Sequence, residues 1–229
     1  MPIPRWFVGM PCGSGGEGAD AILVETTGYG LQLNARAAAH LRRPHARDLQ
    51  TLFSRTLAVE PSVSPGELAA LDRMLGDSAA EAVRLLSARE RVDLNRVFAV
   101  GSLGPLAGHG ANGHRPATLE IGQASAIAER TGLTVVSAFR ERDLAAGGQG
   151  MPIHALADWA LYRHAKERRI LIHIGGVTSM VLIPANARPQ DVVAFEAGPG
   201  TRLLDAVIRA GSRGRERCDV GGKHAVQGR

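Results

Sequence analysis

The stretch Val192-Val193-Ala194-Phe195-Glu196-Ala197-Gly198-Pro199-Gly200-Thr201-Arg202-Leu203-Leu204-Asp205 decides how the chain is read. An apolar run (Val192, Val193, Phe195) ends at a carboxylate and turns through Gly-Pro-Gly. It then enters a segment with Leu203, Leu204, Val207 and Ile208 at helical spacing. Strand, glycine turn and helix in that order indicate an α/β fold, with Glu196 at a strand end and Gly198 and Gly200 in the turn. A carboxylate so placed can act as a general base toward a hydroxyl or water, and the glycines let a substrate approach the backbone. The same residues also describe a solvated glutamate beside an ordinary strand-helix turn, and taken alone they favour that plainer reading.

Upstream of this stretch, Ile170-Leu171-Ile172-His173 and Met180-Val181-Leu182-Ile183 read as strands joined across Gly175-Gly176. The N-terminal region has the same arrangement. Trp6-Phe7-Val8-Gly9 is followed by the glycine-rich turn Cys12-Gly13-Ser14-Gly15-Gly16-Glu17-Gly18 and the strand Ala21-Ile22-Leu23-Val24, with Gly30 to Leu33 as a third strand. The chain therefore reads as two related lobes, residues 1–137 and 138–229, each opening on a glycine-turned hairpin. Such turns can close backbone N–H groups around a phosphate. No Gly-Lys-Ser/Thr follows the first one, so it is not a Walker loop, and a plain flexible hairpin fits its spacing as well.

Between the hairpins, Asp48 to Leu57 is a helix with Leu49, Leu52 and Phe53 on one face. A longer helix opens with the capping box Ser64-Pro65-Gly66-Glu67 and runs toward Arg89. Val97 to Val100 is a buried strand, and Pro105 to Pro116 is a glycine-rich loop. Its His109 and His114 have no acidic or cysteine companion at ligand spacing, and Cys12 and Cys218 form no CxxC, so no metal site is signalled. Thr118 to Ile121 leads to a helix, Gln123 to Thr131, closed by Gly132. The strand Val135-Val136 then delivers Arg140, Arg142 and Asp143 to its C-terminal end, ahead of Ala146-Gly147-Gly148-Gln149-Gly150. That set is either an anion-recognising cluster or a surface salt-bridge network. Ile153 to Glu167 completes the helices.

Of 229 residues, 45% are hydrophobic and 21% charged, a globular composition. The net charge of +5 rests on 27 basic residues of which only Lys166 and Lys223 are lysine, an arginine bias that does not argue for nucleic acid. No apolar run approaches membrane-spanning length, and a cytoplasmic protein is expected.

Three segments together carry a resemblance: Thr118-Leu119-Glu120-Ile121-Gly122, Ile127-Ala128-Glu129-Arg130-Thr131-Gly132, and Phe139-Arg140-Glu141-Arg142-Asp143 running on to Gly150. With Ile174-Gly175-Gly176, Gly198-Pro199-Gly200, Asp205, Asp219 and Gly222, the chain resembles the anhydro-N-acetylmuramic acid kinases of bacterial cell-wall recycling. The resemblance implies ribonuclease-H-like lobes of the actin, hexokinase and Hsp70 ATPase superfold, the first near complete and the second truncated. It implies ATP with Mg²⁺ as phosphoryl donor and anhydro-N-acetylmuramic acid as substrate, phosphorylated while water opens its internal anhydro bridge. Glu196 then falls on the carboxylate that activates the water, where the family pattern has Asp. Arg142, Asp143, Gly198 and Gly200 fall on the sugar side, and Gly13, Ser14, Gly15, Gly175 and Gly176 on the two phosphate loops. His173 stands where the pattern has Asn before Ile-Gly-Gly. The alternative is a catalytically inactive relative that binds a sugar or a partner. A homodimer, or a second chain supplying further lobe structure, is the expected assembly.

Overall fold

The computed structural model describes residues 4–11, 16–58, 61–110 and 116–228. The chain divides into two compact units, 1–153 and 154–229. That border lies beyond the lobe division expected after residue 137. The difference is the segment that follows Val136, whose helix packs on a strand of the first unit.

In the first unit the chain runs β1 (Arg5–Met10), β2 (Gly18–Thr27), β3 (Asn34–Pro44), α1 (Arg47–Thr56), α2 (Pro65–Glu90) and β4 (Val97–Ser102). It continues with β5 (Leu106–Gly110), β6 (Ala117–Glu120), α3 (Ala124–Thr131), β7 (Val135–Val136) and α4 (Phe139–Ala145). A mixed five-stranded sheet has the order β3-β2-β1-β4-β7. β2 is antiparallel to β1 and β3, whereas β4 runs parallel to β1 and β7 parallel to β4. Val8, Met10, Ala21, Leu23 and Val100 from this sheet pack against Ala82, Val83 and Leu86 of α2 and Ile127 of α3. The long helix forms as its sequence requires. Ser64 Oγ accepts the Glu67 N–H at 3.2 Å, and Glu67 Oε2 accepts the Ser64 N–H at 2.8 Å.

Two sequence readings are corrected here. Gly30 to Leu33 is no strand; Gly30–Gln32 is a short 3-10 turn, and the third strand is β3, paired with β2 from Gly18↔Pro44 to Thr27↔Asn34. β3 is an edge strand rich in Ala and Arg with Leu41 as its one large apolar residue, so it carries little of the apolar alternation by which strands are read. The glycine-rich segment after Pro105 is partly a hairpin, since β5 and β6 form a two-stranded sheet; His114 lies outside the described residues.

The second unit contains α5 (Ala155–Tyr162), β8 (Arg169–Ile174), β9 (Val177–Ile183), β10 (Val193–Pro199), α6 (Thr201–Gly211) and α7 (Lys223–Gln227). α5 is shorter than the expected Ile153 to Glu167, because the chain turns extended at Arg163. The sheet is antiparallel with order β10-β9-β8. Strand alternation sorts its two faces. Leu171, Val181, Ile183 and Ala194 pack with Trp159 of α5. On the other face Ile170, Ile172, Ile174, Val193 and Phe195 are exposed, as are Leu203, Leu204 and Val207 of α6. No helix among the described residues is long and apolar enough to cross a membrane.

Candidate functional site

In the second unit, Glu196 sits within β10 rather than at its end, opposite Ser179 of β9. The strand continues because Gly198, at φ +145°, absorbs a register shift directly after Glu196 and lets Pro199 pair with Val177. Glu196 is exposed. By alternation it belongs to the same sheet face as Ala194, the face that α5 covers farther along the strand.

The structure brings together three of the four glycines expected in this unit, Gly175, Gly176 and Gly200, while Gly198 pairs with Thr178 within the sheet. The Gly200 N–H donates to Gly176 O at 3.0 Å, and the Thr201 N–H donates to Gly175 O at 2.8 Å. Thr201 Oγ1 adds a bond of 3.1 Å to the same carbonyl. A Cβ on Gly200 would collide with the Gly175 carbonyl oxygen, so close approach of the two turns requires glycine there. α6 begins at Thr201, which sets its N-terminus beside the Gly175-Gly176 turn. Arg202, in the first turn of α6, lays its side chain over Gly176, with Nε 3.0 Å from where a Gly176 Cβ would stand. Sequence reading missed Arg202; the signal available was a basic residue two positions beyond Gly-Pro-Gly.

In the first unit, Arg142 and Asp143 lie on α4. Arg142 is exposed. Asp143 holds the following loop: its Oδ2 accepts the Gly150 N–H at 2.7 Å, and its carbonyl accepts the Gly148 N–H at 2.8 Å. Arg140 is not an exposed anion-binding group. It is buried, and its Nη1 donates to Glu120 Oε2 at 2.6 Å and to Gly104 O at 3.1 Å. Glu120 Oε1 accepts the Gly104 N–H at 2.8 Å, and Glu141 Oε1 accepts the Glu120 N–H at 3.1 Å. Burial pushes the Glu120 carboxyl up, while the Gly104 N–H and Arg140 pull it back. This network fixes α4, and therefore Asp143 and its glycine loop, to β6 and the end of β4.

Gly13, Ser14 and Gly15 lie outside the described residues. Of their neighbours, Gly16 has φ +64° and faces the Phe53 ring, and Gly18 packs on the Arg43 carbonyl. At the C-terminal ends of β1 and β4, a cavity of about 50 Å³ is lined by Met10, Asp20, His45, Phe53, Ser102 and neighbouring residues. His45 is buried there, its Nδ1 2.9 Å from Ser78 Oγ.

Comparison with known proteins draws these observations together. The family model described as anhydro-N-acetylmuramic acid kinase matches residues 5–229. The chain is 32% identical over 232 residues to the anhydro-N-acetylmuramic acid kinase of Caldanaerobacter subterraneus subsp. tengcongensis, covering 98% of this chain and 58% of that protein. It is 33% identical over 230 residues to the kinase of the same name from Gloeobacter violaceus, covering 98% and 59%. The kinase of Bacillus thuringiensis subsp. konkukian is 32% identical over 207 residues, covering 89% and 54%. This chain therefore spans a little over half the length of the curated relatives it matches. Among solved structures, a reductive activator for corrinoid, iron-sulfur protein aligns with a TM-score of 0.38 and 15% identity, over 86% of this chain and 31% of that one, and carries no argument. The match through residues 5–229 includes Glu196, both glycine turns of the second unit and the Arg142-Asp143 segment, and on it the chain belongs to the anhydro-N-acetylmuramic acid kinase family.

Proposed function

We propose that this protein phosphorylates anhydro-N-acetylmuramic acid with ATP while water opens the sugar's internal anhydro bridge, a step of peptidoglycan recycling in the cytoplasm. The observation that carries this reading is the family match over residues 5–229. Each of the relatives compared is named a kinase, which does not favour the non-catalytic alternative.

The geometry of each unit supports roles for its own residues. Glu196, exposed beside a bulge, is the general base that takes the proton from the attacking water. Gly175 and Gly176 offer backbone without side chains, and the Arg202 guanidinium against Gly176 supplies positive charge at a helix start, a combination that fits phosphate. Gly13, Ser14 and Gly15 are assigned to the other phosphate loop, the first in the chain, by the family resemblance. Arg142 recognises the sugar, with Asp143 holding the Gly148 to Gly150 loop in place. Mg²⁺, when bound with the nucleotide, would neutralise phosphate charge; no residue of this chain is assigned to it. The sheet order β3-β2-β1-β4-β7 supports a ribonuclease-H-like lobe of the sugar-kinase, Hsp70 and actin type in the first unit. The exposed apolar residues of β8, β10 and α6 support cover by another polypeptide surface, a second copy or a further chain.

Calorimetric titration of the folded protein with Mg·ATP and, separately, with anhydro-N-acetylmuramic acid tests the reading. Saturable binding of both is expected. Failure to bind the sugar contradicts it.

A further inference from the structure

We propose that His154, Asp158 and His173 of the second unit form a binding site for a divalent transition-metal ion, of which Zn²⁺ is the type. The three side chains come from two elements that the fold packs together. His154 immediately precedes α5, Asp158 lies one turn further along within that helix, and His173 is the penultimate residue of β8. Their donor atoms converge. His154 Nδ1 and His173 Nε2 each lie 2.8 Å from the same oxygen, Asp158 Oδ2, and the potential ligand atoms all lie within 4.8 Å of one another. The two imidazole rings are 4.2 Å apart, centroid to centroid.

The donor set selects the ion. Two imidazole nitrogens and one carboxylate suit zinc and its neighbours, whereas Mg²⁺ and Ca²⁺ favour all-oxygen sites. Metal-ligand bonds of about 2.0–2.2 Å place tetrahedral donors about 3.3 Å apart. The present 2.8 Å contacts therefore need to open by only about 0.5 Å. Asp158 is 5% exposed, and its Oδ2 is already engaged by both imidazoles.

An outer partner is also in place. His154 Nε2 is 3.0 Å from Ser179 Oγ. A hydroxyl can donate or accept, so when Nδ1 binds metal and the ring proton moves to Nε2, the same bond persists with its direction reversed. Ser179 is the register partner of both His173 and Glu196, so the site lies on one cross-strand row with Glu196. Three protein ligands leave a fourth position for water. The proposal does not depend on the kinase reading.

The test uses the full 229-residue chain, stripped by dialysis against a chelator, then titrated with Zn²⁺ in competition with a chromophoric chelator and with Co²⁺ followed by visible absorption. One equivalent of Zn²⁺ per chain and an intense four- or five-coordinate Co²⁺ spectrum are expected. His173→Asn and His154→Asn should each weaken Zn²⁺ by at least about 100-fold, and Ser179→Ala by roughly 10-fold. His40→Gln and His224→Gln, whose imidazoles pair with Asp20 and Glu216, should change nothing. Far-UV circular dichroism identifies any variant that fails to fold, and the wild-type stoichiometry and Co²⁺ spectrum decide independently of the variants. Absence of competition by the wild type, or binding that survives in the folded His173→Asn protein, overturns the proposal.

Discussion

At the scale of single residues, buried polar groups decide which expected site residues are free to meet a ligand. Arg140 was a plausible anion binder on sequence grounds, yet its side chain is 8% exposed against Glu120 at 7%, and the pair is locked to the backbone at Gly104. Removing one member leaves the other charge buried without its partner, which typically costs about 3–5 kcal/mol. Arg140→Ala should therefore lower unfolding stability by about that amount in a urea titration, whereas Arg142→Ala, at an exposed position on the same helix, should change it by less than about 0.5 kcal/mol. His45 gives a pH-dependent counterpart. Burial, with the charge of Arg43 adding to it, holds its imidazole below the ordinary value of 6.5. The folded state therefore favours the neutral ring. Its contribution is fully present above pH 6.5 and is lost as pH falls through the lower folded value, because the unfolded chain takes up the proton first. Melting temperature should drop between pH 7.5 and 5.5 in the wild type and drop less in His45→Gln; equal slopes would remove His45 from the account.

At the scale of elements, the second unit is organised by the lock between two glycine turns. Two backbone N–H groups and one hydroxyl at Gly200 and Thr201 are spent on the carbonyls of Gly175 and Gly176, and no space remains for a Cβ at Gly200. Gly200→Ala should force the turns apart, costing roughly 1–3 kcal/mol of stability. Mg·ATP affinity should fall with it if the Gly175-Gly176 turn holds phosphate, and a calorimetric titration of the folded variant reads this directly. Much of this architecture was legible in the sequence. The capping box at Ser64, the helix end at Gly132, the paired hairpins and the strand-turn-helix of β10 and α6 all carry short-range signals, in which glycine and apolar spacing report local geometry. β3 was not legible, because an edge strand is held by hydrogen bonds to β2 and needs little apolar alternation. Glu196 was placed at a strand end because a bulge at Gly198 looks, in sequence, like a stop. The convergence of His154, Asp158 and His173 joins a helix to a strand and has no sequence spacing by which to be recognised.

At the scale of the whole molecule, the chain belongs to one family over residues 5–229, and the proposed reaction assigns roles to residues of each unit taken by itself. The first unit carries Arg142 and the Asp143-held loop, and the second carries Glu196, the glycine turns and Arg202. The most direct measurement is turnover of anhydro-N-acetylmuramic acid with Mg·ATP, following phosphate transfer and incorporation of water oxygen in the same product, for wild type and Glu196→Gln. The amide conserves size but cannot accept the proton. The account predicts coupled phosphorylation and bridge opening in the wild type. It also predicts a loss of about 10²–10⁴-fold in kcat for Glu196→Gln with Mg·ATP binding retained. Unchanged turnover in Glu196→Gln would contradict it.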